Sequence, residues 1–163
     1  MRVLLLPVLA LLPFLAAGQA EKDTATVQIV HGTACDARVT LEQLRSVLSH
    51  HIAPVRNHDG KDDTYEGAWL QEVLELACPS IAAIDKRTRI RSAVRVTAAD
   101  GYSALIALSE ADTAFRDRPV LLCWKWNGQP LGERHGPFQL IVPDDNRHAR
   151  DVRNVTKLEV ITP

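Results

Sequence analysis

The stretch richest in reactive side chains and poorest in core-forming ones is Arg56 to Glu66. There Asn57, His58, Asp59, Lys61, Asp62 and Asp63 surround an Asp59-Gly60 turn. Such a segment offers hydrogen-bond donors, carboxylate acceptors and an imidazole that exchanges protons near neutral pH, and loops on a rigid sheet are where binding groups concentrate. A second set, Arg147, His148, Arg150, Arg153 and Lys157, alternates with acidic residues as placed ion pairs would. A third, Lys86, Arg87, Arg89, Arg91 and Arg95, reads as a basic stripe, either anion-binding or simply a solvated charged face. The adjacent His50 and His51 would point to different helix faces, and none of the six histidines falls into a zinc spacing, so no metal ligands are assigned. No Gly-x-Ser-x-Gly elbow, phosphate-binding loop or dinucleotide fingerprint is present. Asn154-Val155-Thr156 is a glycosylation sequon, meaningful only in a eukaryotic secretory route.

The first residues indicate where this chemistry takes place. Arg2, an apolar run from Val3 to Ala17 and the small-residue exit Gly18-Gln19-Ala20 follow the order of a signal peptide. They predict a signal over residues 1–20 and one mature domain over 21–163. The run is shorter than the roughly 20 residues of a spanning helix, and Pro7 and Pro13 interrupt it. The expected location is periplasmic or secreted, with no membrane attachment after cleavage. The 19 Lys and Arg against 20 Asp and Glu give a formal net charge of −1, which excludes a global electrostatic grip on nucleic acid. Three cysteines leave at least one thiol unpaired in a monomer. Cys35 with Cys78 is the preferred pair, since each adjoins a turn signal while Cys123 lies in an apolar run; three buried free thiols are the alternative. An unpaired thiol also admits a redox partner or a disulfide-linked dimer.

The elements that would position these groups follow from pattern. Ala25 to His31 reads as a strand ended by Gly32, and the segment after it as a helix capped by Thr40, with Gln43 completing a capping box and His50, His51 and Pro54 marking its end. Gly67 is expected to start a second helix, stopped at Cys78-Pro79. Thr88 to Ala98 alternates with period two and turns at Asp100-Gly101 into Tyr102 to Leu108, an antiparallel hairpin, after which Ser109 caps a short helical turn. Val120 to Trp126 reads as a buried strand closed by Asn127-Gly128, Phe138 to Val142 as another, and Val155 to Ile161 as the last, after a charged segment from Asp144. Strands outnumber helices and come in hairpins, predicting an α+β domain with a mainly antiparallel sheet.

The second half also carries an ordered set of turns. Asp100-Gly101-Tyr102-Ser103, Arg118-Pro119-Val120-Leu121-Leu122, Asn127-Gly128-Gln129-Pro130-Leu131 and Gly136-Pro137-Phe138-Gln139-Leu140-Ile141-Val142-Pro143 follow one another. Upstream stands Glu66-Gly67-Ala68-Trp69-Leu70-Gln71-Glu72-Val73-Leu74. Together they resemble the oxidoreductase molybdopterin-binding domain of the sulfite oxidase family, closest to its short exported members, over roughly Val27 to Val160. The resemblance implies a single sulfite-oxidase-like molybdopterin-binding domain with a mixed sheet and a groove for a molybdenum-molybdopterin cofactor, and it points to bacteria.

In the catalytic members of that family a cysteine thiolate, from the loop before the helix at Gly67, completes the metal's coordination beside the pterin sulfurs. Here that loop, Pro54 to Glu66, contains no cysteine. The expectation is therefore a fold without the standard metal site, since function does not travel with a fold unless the site does. It would be a module for a small anionic ligand or a periplasmic protein partner, using the groove between the Arg56 to Glu66 loop and the Gly128 to Pro143 turns. The alternative is a molybdenum-cofactor oxidoreductase with a nitrogen or oxygen ligand from Asn57, His58 or Asp59. Arg147, Arg150 and Arg153, with His148 beside them, would then meet the cofactor phosphate.

Overall fold

The computed structural model describes residues 24–163; the expected signal peptide lies outside the described residues. β1 (Thr26–His31) turns at Gly32 into β2 (Cys35–Thr40), and α1 (Leu41–Val47) follows. Thr40 accepts from Gln43 N–H at 3.1 Å and Gln43 Oε1 accepts from Thr40 N–H at 2.9 Å, so the expected capping box is formed. β3 (His51–Arg56) and β4 (Asp62–Trp69) make a second hairpin that leads into α2 (Leu70–Ala77), α3 (Pro79–Ala82) and α4 (Lys86–Arg89). β5 (Ala93–Ala98) pairs with β6 (Ser103–Ala107). β7 (Leu121–Trp126), β8 (Gln129–Pro130), β9 (Gln139–Ile141) and β10 (Val155–Ile161) complete the order, with 3-10 turns at Leu108–Ala111 and His148–Arg150.

The strands form two five-stranded sheets. The first runs β2-β1-β10-β5-β6; the second runs β3-β4-β7-β8, with β9 also on β7. Among the described residues only β1 with β10 is parallel and the other strand pairs are antiparallel, as the hairpin-rich pattern predicts. The main core fills the space between the sheets and the helices, with Val27, Ile29, Val96 and Leu158 facing Leu70, Leu74, Leu122 and Trp124. The other face of the first sheet is polar and tied across strands, by Gln28 to Asp36 at 2.8 Å and Arg95 to Glu159 at 2.7 Å.

β7 explains its own unbroken apolar run. Leu122 and Trp124 enter the main core, while Leu121 and Cys123 point the other way into a smaller cluster with Ala53, Val55, Leu131 and Ile141. A strand buried on both faces has no polar alternation to show. Gly67 lets β4 approach it: a Cβ there would lie 2.1 Å from the Leu122 carbonyl oxygen.

Several expected elements are corrected. Cys35–Thr40, ahead of the helix that Thr40 caps, is a strand, and His51–Arg56 is a strand rather than a helix end. Pro54 is tolerated there because β3 is an edge strand that pairs only with β4. Arg56 to Glu66 is therefore a hairpin and not a long loop, and Gly67 lies in β4, with the helix beginning at Leu70. The basic stripe does not exist as one face. Lys86–Arg89 is helical, and Arg89 is buried against Glu75 at 3.0 Å and Asp112 at 3.4 Å. Ser109 lies inside the 3-10 turn, whose N-cap is Ala107.

Candidate functional site

Where the turns of the two sheets meet, the surface folds into an open groove of about 470 Å³. Its walls come from the β3-β4 tip, the β5-β6 turn, the end of β7, the 134–139 segment and the 148–153 segment. It opens between the Arg56 to Glu66 hairpin and the turns downstream of Gly128. Trp126 and Tyr102 line it with about 37% and 49% of their surface exposed, so it carries an aromatic wall that water reaches.

Local chemistry shapes each wall. Asn57 Oδ1 accepts the amides of Asp59 and Lys61, both at 3.0 Å, and Gly60 takes φ +74, which together fold the hairpin tip. Asn127, at φ +48, and Gly128, at φ +76, form the two-residue turn expected from their types. Asn127 also accepts Thr64 N–H at 2.8 Å and donates to Asp63 at 3.0 Å, while Asn57 donates to the other oxygen of Asp63 at 3.3 Å. One residue type at two turns thus fixes a groove carboxylate.

His148 is held at both ring nitrogens. Nε2 donates to the Arg56 carbonyl at 3.0 Å, and Nδ1 meets Asp151 Oδ2 at 3.0 Å. The imidazole therefore clamps the 148–151 turn to the end of β3. The other Asp151 oxygen accepts Val142 N–H at 2.9 Å. Burial raises the Asp151 pKa above the usual carboxylate range, opposed by the Val142 amide and by His148. The His58 ring packs edge-on to His148, with centroids 5.4 Å apart. Among the described residues its nitrogens have no hydrogen bond.

Of the residues expected from sequence, Asn57, His58, His148 and Arg153 line the groove together. Asp59 stands exposed at the hairpin tip and Arg147 is exposed beside the 3-10 turn, both outside the groove wall. Arg150 is bound to Asp145 at 2.6 Å and Glu110 at 3.0 Å; these two bonds raise its pKa further and hold the 145–151 segment against the 3-10 turn at Glu110.

Sequence reasoning missed Tyr65, Trp126, Arg134, His135 and Gln139, all in the groove wall. His135 Nδ1 donates to Gln139 Oε1 at 2.8 Å, and its ring stacks on Trp126 at 5.3 Å. The signal for Arg134 and His135 was present in Gly132-Glu133-Arg134-His135-Gly136, a basic pair between two glycines. Tyr65 is pushed up to about 12, first by burial and then by the negative charge of Asp63 and other neighbours, so its phenol remains a proton donor at neutral pH.

The cysteines are all accounted for. Cys35 and Cys78 form a disulfide with Cα atoms 5.9 Å apart. Cys123 is the free thiol, wholly buried behind Val55 and Tyr65; burial first, then the Asp151 charge, raises its pKa so that it stays a thiol.

Two five-stranded sheets, one mixed and one antiparallel, with a main core, a smaller apolar cluster and a polar groove at their shared rim, define an α+β domain. The model of the oxidoreductase molybdopterin-binding domain matches residues 21–163, and the chain belongs to that family. No curated protein is detectably similar to it. Among the described residues, no helix is long and apolar enough to cross a membrane.

The groove matches one part of the family's cofactor and not another. Arg134, Arg153 and the ring wall suit an anionic, flat molecule. A thiolate for molybdenum is not available, because two sulfurs are bonded to each other and the third lies beneath the groove floor.

Proposed function

We propose that this chain is an exported module that binds a small anionic ligand in the groove, on a molybdopterin-binding scaffold that does not hold molybdenum through a protein thiolate. The observation that carries the reading is the position of the three sulfurs, none of which faces the groove. The guanidiniums of Arg134 and Arg153 support the anion. Among the described residues neither has a carboxylate partner, whereas Arg116, Arg118 and Arg150 each do. The disulfide supports the export, since such bonds persist in oxidising compartments such as a bacterial periplasm.

The test is made on protein purified from a molybdenum-replete host. We expect molybdenum and pterin fluorescence far below one equivalent. We also expect no thiol reactive in the native state, one after unfolding, and three after unfolding with reductant. Stoichiometric molybdenum would overturn this reading in favour of a second, an oxidoreductase whose metal takes a nitrogen donor. His58 favours that second reading, since its ring lines the groove without a hydrogen bond among the described residues. Loss of such molybdenum in His58→Ala, with an unchanged melting temperature, would establish it.

A further inference from the structure

The single turn of α4 has two unlike sides. Inward, the buried guanidinium of Arg89 is held by Glu75 at 3.0 Å, the Ile81 carbonyl at 3.2 Å and Asp112 at 3.4 Å. Outward, Lys86 and Arg87, with Ile90 and Arg91 just beyond the turn, are all exposed. Ile90 leaves 54% of its surface in water, and Phe115, 36% exposed, lies beneath the Lys86 ammonium with the nitrogen 5.6 Å from the ring centroid. Arg89 pins the turn to the body of the domain, so the outward side chains stand on a fixed support.

The cations of this side are not neutralised. Lys86, Arg87 and Arg91 have no carboxylate partner among the described residues, whereas Arg95, further along β5, is paired with Glu159 at 2.7 Å. Asp85 is the one acid between residues 84 and 95, and its oxygens accept the Arg87 and Thr88 amides and the Thr88 hydroxyl. In a chain of formal net charge −1, three such cations around two water-exposed apolar side chains are a local excess. The patch lies where α4 leads into β5, and β5 meets the groove at its other end, Ala98. A strand of that length separates the two by roughly 17 Å.

Size and composition select the occupant. Five residues fall well short of the roughly 20 to 30 a side of a stable protein interface, and such interfaces are depleted in lysine. A bilayer surface demands no matching shape: apolar side chains enter the headgroup boundary while lysine and arginine meet the lipid phosphates. We propose that Lys86, Arg87, Ile90, Arg91 and Phe115 form a peripheral docking patch for an anionic lipid surface. Docking there leaves the groove, at the far end of β5, open to its ligand, and it does not depend on what the groove binds.

The test is sedimentation of the exported protein with vesicles of equal parts phosphatidylglycerol and phosphatidylethanolamine, against vesicles of phosphatidylcholine alone. We expect binding to the anionic vesicles at least about tenfold tighter, and progressive release as sodium chloride is raised. Lys86→Gln, Arg87→Gln and Arg91→Gln should each weaken it about fivefold. Ile90→Ser, which leaves the charge untouched, should weaken it by a similar factor, about fivefold. Arg38→Gln, an exposed cation on β2, should change nothing. No vesicle binding by the wild type, or equal binding to phosphatidylcholine, would overturn the proposal. So would binding that survives the three charge substitutions together, or that falls as much with Arg38→Gln as with Arg87→Gln. Should the combined variant fail to fold, the wild type decides, since binding that high salt leaves unchanged rejects an electrostatic patch.

Discussion

Asp151 accepts an amide on one oxygen and meets an imidazole on the other, yet burial leaves its carboxyl easier to protonate than usual. The folded chain therefore holds that proton more tightly than the unfolded chain, and folding takes up protons in the interval above the ordinary value of 3.8. Stability from this group is present below that value and is lost as pH rises through the raised one. Asp151→Asn can keep the Val142 bond and donate to His148 Nδ1. Denaturant melts across acid to neutral pH should show the wild type losing stability through this window. The variant should lack that loss and stand at least as stable above it. Neither the raised carboxyl nor the phenol of Tyr65 was legible in the sequence, because both depend on how deeply the second sheet buries them. His58 and Arg153 were legible as candidates because polar residues clustered between apolar runs have little else to do.

Local signals were reliable where they close within a few residues. The Thr40 box, the Asn127-Gly128 turn and the alternation of β5 are all formed. β2 and β3 escaped notice for a common reason: Cys35–Thr40 abuts a genuine helix start, and His51–Arg56 contains a proline that reads as a break. Their pairing is decided by partners outside the local window. Two substitutions should separate these kinds of control. Thr40→Ala removes one cap bond and should cost about 1 kcal/mol in a urea melt. Gly67→Ala drives a methyl group into the β7 backbone and should cost well over that, on the order of 3 kcal/mol or a failure to fold. Equal and small effects would mean that β4 and β7 approach less closely than described.

The disulfide joins β2, at one edge of the first sheet, to the C-cap of α2 across a separation of 43 residues. A constraint of that span should contribute about 4 kcal/mol, chiefly by restricting the unfolded chain. Reduced protein, or Cys35→Ser with Cys78→Ser, should melt at lower temperature by an amount matching that loss in calorimetry. No change would mean that the bond does not restrict the unfolded chain enough to stabilise the fold. The groove itself could not be read from the sequence as a whole, because five segments converge on it and only the turn order hinted that they would. The family resemblance supplied what propensity could not, the pairing of distant strands into one scaffold.

β10 is inserted between β1 and β5, with Gln28 opposite Lys157 on one side and Val96 opposite Leu158 on the other. Until residues 155–161 have been synthesised, the β1-β2 and β5-β6 hairpins have no strand to join them. A nascent polypeptide in that condition lacks the central strand of its first sheet, so the order β2-β1-β10-β5-β6 closes only when the last segment arrives. The late strand thus acts as a bolt, and a chain that stops short of residue 155 should be cleared by proteases rather than accumulate.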